Sequence, residues 1–94
     1  MDNFVIENPS GGDIEFRGEL LHSVSSPELG QVWVYRAASG KFVVKQTRRA
    51  LRGRTARDAV AVMDSLEQVI DWFETALEKS AMLRALGLAK RFTI

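Results

Sequence analysis

The stretch QVWVYRAASGKFVVKQT, residues 31–47, decides the fold of this chain. Two runs rich in β-branched and aromatic residues flank the short segment AASG, and such runs are typical of β-strands. Gly40 can take the left-handed conformation that a four-residue hairpin loop often needs. The stretch therefore predicts an antiparallel hairpin at the centre of a sheet.

Further strands are predicted on both sides of this hairpin. Residues 4–6 (FVI) form a short apolar run, and residues 14–24 alternate between apolar and polar side chains, with Gly18 as a candidate bulge. The turn formers NPSGG (8–12) and the loop SSPELG (25–30) separate these runs. AVAVM (59–63) is predicted to form a fifth strand. The pattern predicts an antiparallel β-meander of four to five strands.

Helical patterns occur only after the strands. Apolar residues recur at helical spacing through Leu66, Val69, Ile70, Phe73 and Leu77, which predicts one long helix from Ser65 to about Leu77 with Ser65 as its N-cap. SAMLRALGL (80–88) predicts a short second helix, capped by its serine and ended by its glycine. We therefore expect one α+β domain spanning residues 1–94, with both helices packed on one face of the sheet.

The central strands are apolar on both parities. A sheet with one wet face should alternate, and the predicted helices have enough apolar surface for only one face. The pattern favours a protein partner or a homodimer interface on the other face. The candidate residues are Trp33, Tyr35, Phe42 and Val43. The alternative is that the short helix and the terminal RFTI fold under the sheet and bury them.

A strongly basic segment follows the hairpin. KQTRRALRGRTAR, residues 45–57, carries six positive charges, whereas the rest of the chain has a net charge of −5. Its basic residues are Lys45, Arg48, Arg49, Arg52, Arg54 and Arg57. They are candidates for phosphate contacts or for an acidic protein surface, or they keep an exposed hairpin tip soluble. Because no aromatic residue interrupts the segment, we expect at most weak, sequence-independent nucleic-acid binding.

The sequence offers no motif for catalysis or for a cofactor. It has no cysteine, its single histidine is His22, and phosphate-binding and nucleophile motifs are absent. We therefore predict no enzyme activity, cofactor, metal or small-molecule substrate. No apolar run approaches the ~20 residues of a membrane span, and no signal peptide is recognisable. The expectation is a cytoplasmic protein without membrane contact.

Two segments carry a resemblance to known proteins. WVYRAASGKFVV (33–44) resembles the hairpin of small uncharacterised α+β proteins found on bacterial plasmids and phages, and DSLEQVIDWF (64–73) resembles the capped helix that follows their sheet. The layout is also similar to that of some phage anti-CRISPR proteins. The resemblance implies an accessory or inhibitor-like protein that acts by binding, and it carries over no catalytic residues.

Overall fold

A computed structural model describes residues 1–50 and 55–87 of the chain. Within these ranges, five strands precede two helices. The strands are β1 (Asp2–Ile6), β2 (Ile14–Ser26), β3 (Gly30–Ala37), β4 (Phe42–Arg48) and β5 (Arg57–Met63), and the helices are α1 (Leu66–Trp72) and α2 (Ala76–Ala85). This order confirms the predicted α+β class.

The strands form one antiparallel sheet in the order β1-β2-β3-β4-β5, which confirms the predicted meander. The central hairpin pairs Tyr35 with Val43 and Trp33 with Lys45. Gly40 has a φ of 90°, the left-handed conformation expected in this loop. Each of these strands pairs with its neighbour in sequence, so β1 and β5 are the two edges of the sheet within residues 1–50 and 55–87.

Strand β2 contains a bulge, but not at the predicted position. The register with β3 shifts between Leu20 and His22, leaving Leu21 as the additional residue. Gly18 serves a different purpose, because a Cβ atom there would collide with the carbonyl oxygen of Arg36. The bulge reverses the alternation along β2, and Leu21 packs on the helix side of the sheet.

The predicted long helix is divided into two elements. Ser65 caps α1 as expected, but α1 has 7 residues and ends before Phe73, whose extended backbone closes it. The second helix is the longer of the two, with 10 residues, and Ser80 lies inside it instead of capping it. Leu77, which the periodicity placed on the buried side, is 55% exposed. No helix in residues 1–50 and 55–87 is long and apolar enough to cross a membrane.

The larger hydrophobic cluster joins both helices to the sheet. Its sheet residues include Val32, Val34 and Val44, every second position of β3 and β4 near the centre. Its helical residues are Val69, Ile70, Phe73 and Met82. We call this side of the sheet the covered face and the opposite side the open face.

Candidate protein-binding face of the sheet

The open face carries a second hydrophobic cluster. The alternation of β3 and β4 turns Trp33, Tyr35 and Val43 away from the covered face. Ile6 is buried with Tyr35 and Val43, and the partly buried side chains of Phe4, Phe16, Trp33 and Val60 pack around these three. Both described helices contribute to the cluster on the other face instead. The open face is therefore apolar, yet among the described residues no helix packs on it.

Three aromatic rings form the centre of this cluster. The ring centroids of Phe4 and Tyr35 are 4.9 Å apart, those of Phe16 and Tyr35 are 5.5 Å apart, and those of Phe4 and Phe16 are 5.4 Å apart. These separations lie in the favourable range for aromatic pairs. The rings of β1 and β2 therefore shield Tyr35, and residues 91–94 (RFTI), the alternative cover for this face, lie outside the described residues.

Burial changes the acidity of Tyr35. The residue is only 8% exposed, and desolvation raises the pKa of its phenol above the ordinary value of 10.0. The phenol is therefore neutral at physiological pH, and its ring contributes to an apolar surface.

A shallow groove runs along one side of the cluster. It has a volume of about 310 Å³, and its lining residues are Val5, Ile6, Glu7, Trp33, Tyr35 and Lys45. Lys45 pairs across the strands with Trp33, so both side chains point to the open face. The groove thus combines an apolar floor with charged groups of both signs.

Exposed aliphatic residues extend the apolar surface beyond the cluster. Leu20 is 46% exposed and pairs with Tyr35 across β2 and β3. Val62 is 47% exposed and pairs with Val43 across β4 and β5. Both side chains therefore point to the open face, one on each side of the buried centre.

The structure separates the four residues that the sequence singled out for an interface. Trp33, Tyr35 and Val43 lie together on the open face, with Trp33 half-buried and the other two buried. Phe42 lies on the covered face and packs against the larger cluster with the helices. Phe4 and Phe16 occupy the open face but were not among those four. Their parity in β1 and β2 was visible in the sequence, but the pairing of β1 with β2 was needed to bring them to Tyr35.

The six basic residues of segment 45–57 do not form one charged arm. Arg48 is buried and Arg57 is half-buried, both on the covered face, whereas Lys45 lies on the open face. Arg49 is exposed at the end of β4. Arg52 and Arg54 lie outside the described residues. At least two of the six cations are therefore part of the folded body.

Arg48 belongs to a buried ion cluster between the sheet and α2. Its Nη1 donates to Glu78 Oε1 at 2.6 Å, and its Nη2 donates to Glu74 Oε1 at 3.2 Å. The side chains of Arg48 and Glu78 are 3% and 0% exposed. Gln46 Nε2 also donates to Glu78 Oε1, at 3.0 Å. A buried charge pair of this kind needs such additional hydrogen bonds to offset its loss of hydration.

Arg57 extends the cluster to α1. Its guanidinium carbon lies 4.0 Å from the centroid of the Trp72 ring, and its Nη1 donates to Gln46 Oε1 at 3.1 Å. Its Nε lies 3.4 Å from Glu74 Oε1. Arg57 therefore links the edge strand to the segment that joins the two helices.

A capping box holds Glu78 in this position. Thr75 Oγ1 accepts from the amide of Glu78 at 3.1 Å, and Glu78 Oε2 accepts from the amide of Thr75 at 3.1 Å. The spacing T-x-x-E at residues 75–78 is a sequence signature of a helix start. It was available in the sequence but overlapped the longer apolar periodicity, which obscured the break at Phe73.

No group of three or more His, Asp or Glu side chains suited to a metal ion occurs in the part of the chain that the structure describes. His22 lies half-buried on the covered face, opposite Val34. Comparisons of the chain with protein-family models, curated proteins and solved structures find no match. The resemblance to accessory proteins of plasmids and phages therefore stays a prediction.

Proposed function

We propose that this protein is a non-catalytic binding protein, and that the open face of its sheet contacts a protein partner. The observation that carries the proposal is the aromatic cluster on a sheet face that no described helix covers. A sheet face of this composition normally packs against a second layer. A partner protein is the layer that we infer here.

The composition of the open face suits protein recognition. Tyrosine and tryptophan are enriched where binding energy concentrates, and the centre of an interface is apolar with a polar rim. Trp33 and Tyr35 line the groove together with Lys45 and Glu7. We expect the partner to offer apolar side chains to the cluster and a carboxylate to Lys45.

The placement of the arginines supports protein binding over the nucleic-acid alternative. Arg48 and Arg57 already pair with Glu74 and, for Arg48, with Glu78. Because these two guanidinium groups already pair with carboxylates of the same chain, fewer cations are left to contact a phosphate backbone. Weak nucleic-acid binding through Arg49, Arg52 and Arg54 remains the second candidate.

Affinity capture from the native cell extract, with and without nuclease, tests the proposal. The baits are the wild-type chain, Trp33→Ala, and the control Leu77→Ala, which truncates an exposed apolar side chain on α2. We expect wild type and Leu77→Ala to retain the same partner after nuclease treatment. Trp33→Ala should weaken binding of that purified partner about tenfold or more, as at an interface hot spot.

Two results would contradict this function. Equal affinity of wild type and Trp33→Ala for the partner would exclude the centre of the open face. Loss of every captured protein after nuclease treatment would favour the basic segment and nucleic acid. Circular dichroism of each bait before capture separates loss of binding from loss of fold.

A further inference from the structure

Among residues 1–50 and 55–87, β5 is an edge of the sheet, and its residues 59–63 lack the features that normally protect such an edge. It has seven residues, and the register with β4 runs without a bulge from Arg57 to Met63. Residues 59–63 (AVAVM) contain neither charge nor proline. Protected edges are usually short, bulged, proline-containing or lined with lysine, because their free backbone groups can pair with another strand.

The opposite edge of the described sheet, β1, also lacks a bulge and proline, but it is shorter and less apolar. Strand β1 has five residues against seven in β5, and each strand begins with a polar pair, Asp2 and Asn3 in β1 and Arg57 and Asp58 in β5. Strand β1 offers fewer backbone groups and only three apolar residues. The contrast identifies β5 as the edge that is suited to strand addition.

We propose that β5 pairs with β5 of a second copy of this chain, antiparallel and about a two-fold axis through Val60. In this register Arg57 of one chain lies opposite Met63 of the other chain. In the same way, Asp58 lies opposite Val62 and Ala59 lies opposite Ala61. Val60 faces its own counterpart on the axis. Two five-stranded sheets thereby become one ten-stranded sheet.

In this register the strand pairs with its copy over its whole length. Val60 is the midpoint of β5, so all seven residues of the strand find a partner. Moving the axis to Ala61 would leave Arg57 and Asp58 outside the paired strand and would bring Asp58 level with Asp64, and like charges opposite each other destabilise a strand pair. Moving it to Ala59 would leave Val62 and Met63 outside the paired strand. The Val60 axis is therefore the register that pairs the whole strand without opposed charges.

The pairing also joins the two open faces. A two-fold axis perpendicular to the sheet keeps corresponding faces on the same side. Val60 packs on the open-face cluster, and its counterpart would meet it across the axis. This self-association concerns the edge of the sheet, not the surface assigned to the partner, so either proposal can fail without the other.

Single-cysteine variants test the register, because the natural chain contains no cysteine. In antiparallel pairs, opposite Cα atoms are about 4.5–5.5 Å apart, within the span of a disulfide. Val60→Cys should therefore form a covalent dimer under mild oxidation. In Val62→Cys the two sulfur-bearing residues would be offset by four positions, about 13 Å, and should remain unlinked.

A charge placed on the axis tests the association without a covalent bond. Val60→Glu would oppose two carboxylates in the dimer, whereas within one chain Lys45 lies opposite this position on β4 and offsets the change. Sedimentation equilibrium up to about 200 µM should show dimers of the wild type and self-association about tenfold weaker for Val60→Glu. Leu77→Glu on α2 is the matched control and should associate like the wild type.

Defined results would overturn the proposal. A wild-type chain that stays monomeric throughout this concentration range would exclude the dimer. Cross-linking of Val62→Cys as fast as Val60→Cys would exclude the register. Circular dichroism shows whether Val60→Glu remains folded. If Val60→Glu is unfolded, the cross-linking of Val60→Cys still tests the proposal. Trp33→Ala should leave the cross-link unchanged, which separates this result from the outcome for the open face.

Discussion

The two faces of the sheet use the same strands for different purposes. On the covered face, Val32, Val34 and Val44 are fully buried beneath helices that also bring carboxylates to Arg48. On the open face, Tyr35 and Val43 are buried among neighbouring side chains of the sheet, and no helix of the described residues packs on them. Both faces are apolar, so apolarity alone does not identify a binding surface. The difference lies in which elements supply the second layer.

The same contrast explains the two groups of arginines. Arg48 and Arg57 follow the alternation of β4 and β5 onto the covered face, where the helices provide acceptors. Arg49 is exposed immediately beyond β4. Replacing all arginines of the segment with serine would consequently damage the fold, contrary to what a solvated arm predicts. A test of nucleic-acid binding should retain Arg48 and Arg57.

The largest effect is expected from Glu78→Ala. It removes a buried carboxylate, leaves the Arg48 guanidinium without its shortest hydrogen bond, and removes the half of the α2 capping box in which Glu78 Oε2 accepts from the Thr75 amide. Breaking a buried ion pair in this way typically costs about 3–5 kcal/mol of unfolding free energy. Denaturant melts should show this loss. A loss below about 1 kcal/mol would mean that the cluster is not a structural part of the covered face.

A matched control and a double variant sharpen this experiment. Glu74→Ala removes a carboxylate that is 49% exposed and should cost about 1 kcal/mol or less. Arg48→Met combined with Glu78→Leu removes both buried charges. We expect the double variant to be more stable than Glu78→Ala, because no uncompensated charge remains.

Phe73→Ala should have the next largest effect. Phe73 is 1% exposed in the larger cluster, and its ring lies edge-on to Trp72 with centroids 5.2 Å apart. Truncation of a core phenylalanine typically costs about 3–5 kcal/mol. Leu77→Ala, at the position that periodicity alone assigned to the same buried side, should change stability by about 0.5 kcal/mol or less. Equal losses of unfolding free energy in the two variants would instead support the single long helix that the periodicity predicts.

On the open face, a smaller loss is expected from Phe4→Ala. The variant removes two ring contacts, with Phe16 and Tyr35, each worth about 0.5–1.5 kcal/mol beyond buried area. Phe4 is only half-buried and lies on an edge strand, so we expect a total loss of about 1–3 kcal/mol in denaturant melts. A loss as large as that of Phe73→Ala would show that the open face is a full second core.

Local patterns were sufficient to predict the sheet. Strand composition, turn residues and the glycine of the central hairpin depend on neighbours in sequence, and the meander pairs only such neighbours. The apolar character of both faces was also readable from the strands. The division of the helical region was not, because Leu66 to Leu77 fits one continuous helical stripe. The capping box at Thr75 and Glu78 overrides that stripe.

The site was harder to predict than the fold. Arg48 and Glu78 are 30 residues apart, and the sequence contains no local sign that they meet. From the sequence alone, a run of arginines is expected to be exposed to solvent. Only the alternation of the strands together with the position of a helix shows which of these arginines are buried. Likewise, Phe42 and Val43 are adjacent and equally apolar, yet they lie on opposite faces. Assigning a face to each requires the register of the complete sheet.

The smallest effect concerns the titration of Tyr35, and it tests whether water is excluded from the centre of the open face. Burial raises the pKa of this phenol above 10.0, so the folded state favours the neutral form. The contribution of the neutral phenol to the unfolding free energy is fully present below the unfolded pKa, near pH 10. It is lost as the pH rises through the higher folded pKa. Because Tyr35 is the only tyrosine, phenolate absorbance reports it alone, and its midpoint should lie above pH 10. The unfolding free energy of the wild type should fall relative to Tyr35→Phe above this pH. A midpoint at or below 10 would show that water reaches the phenol and that Phe4 and Phe16 do not shield it.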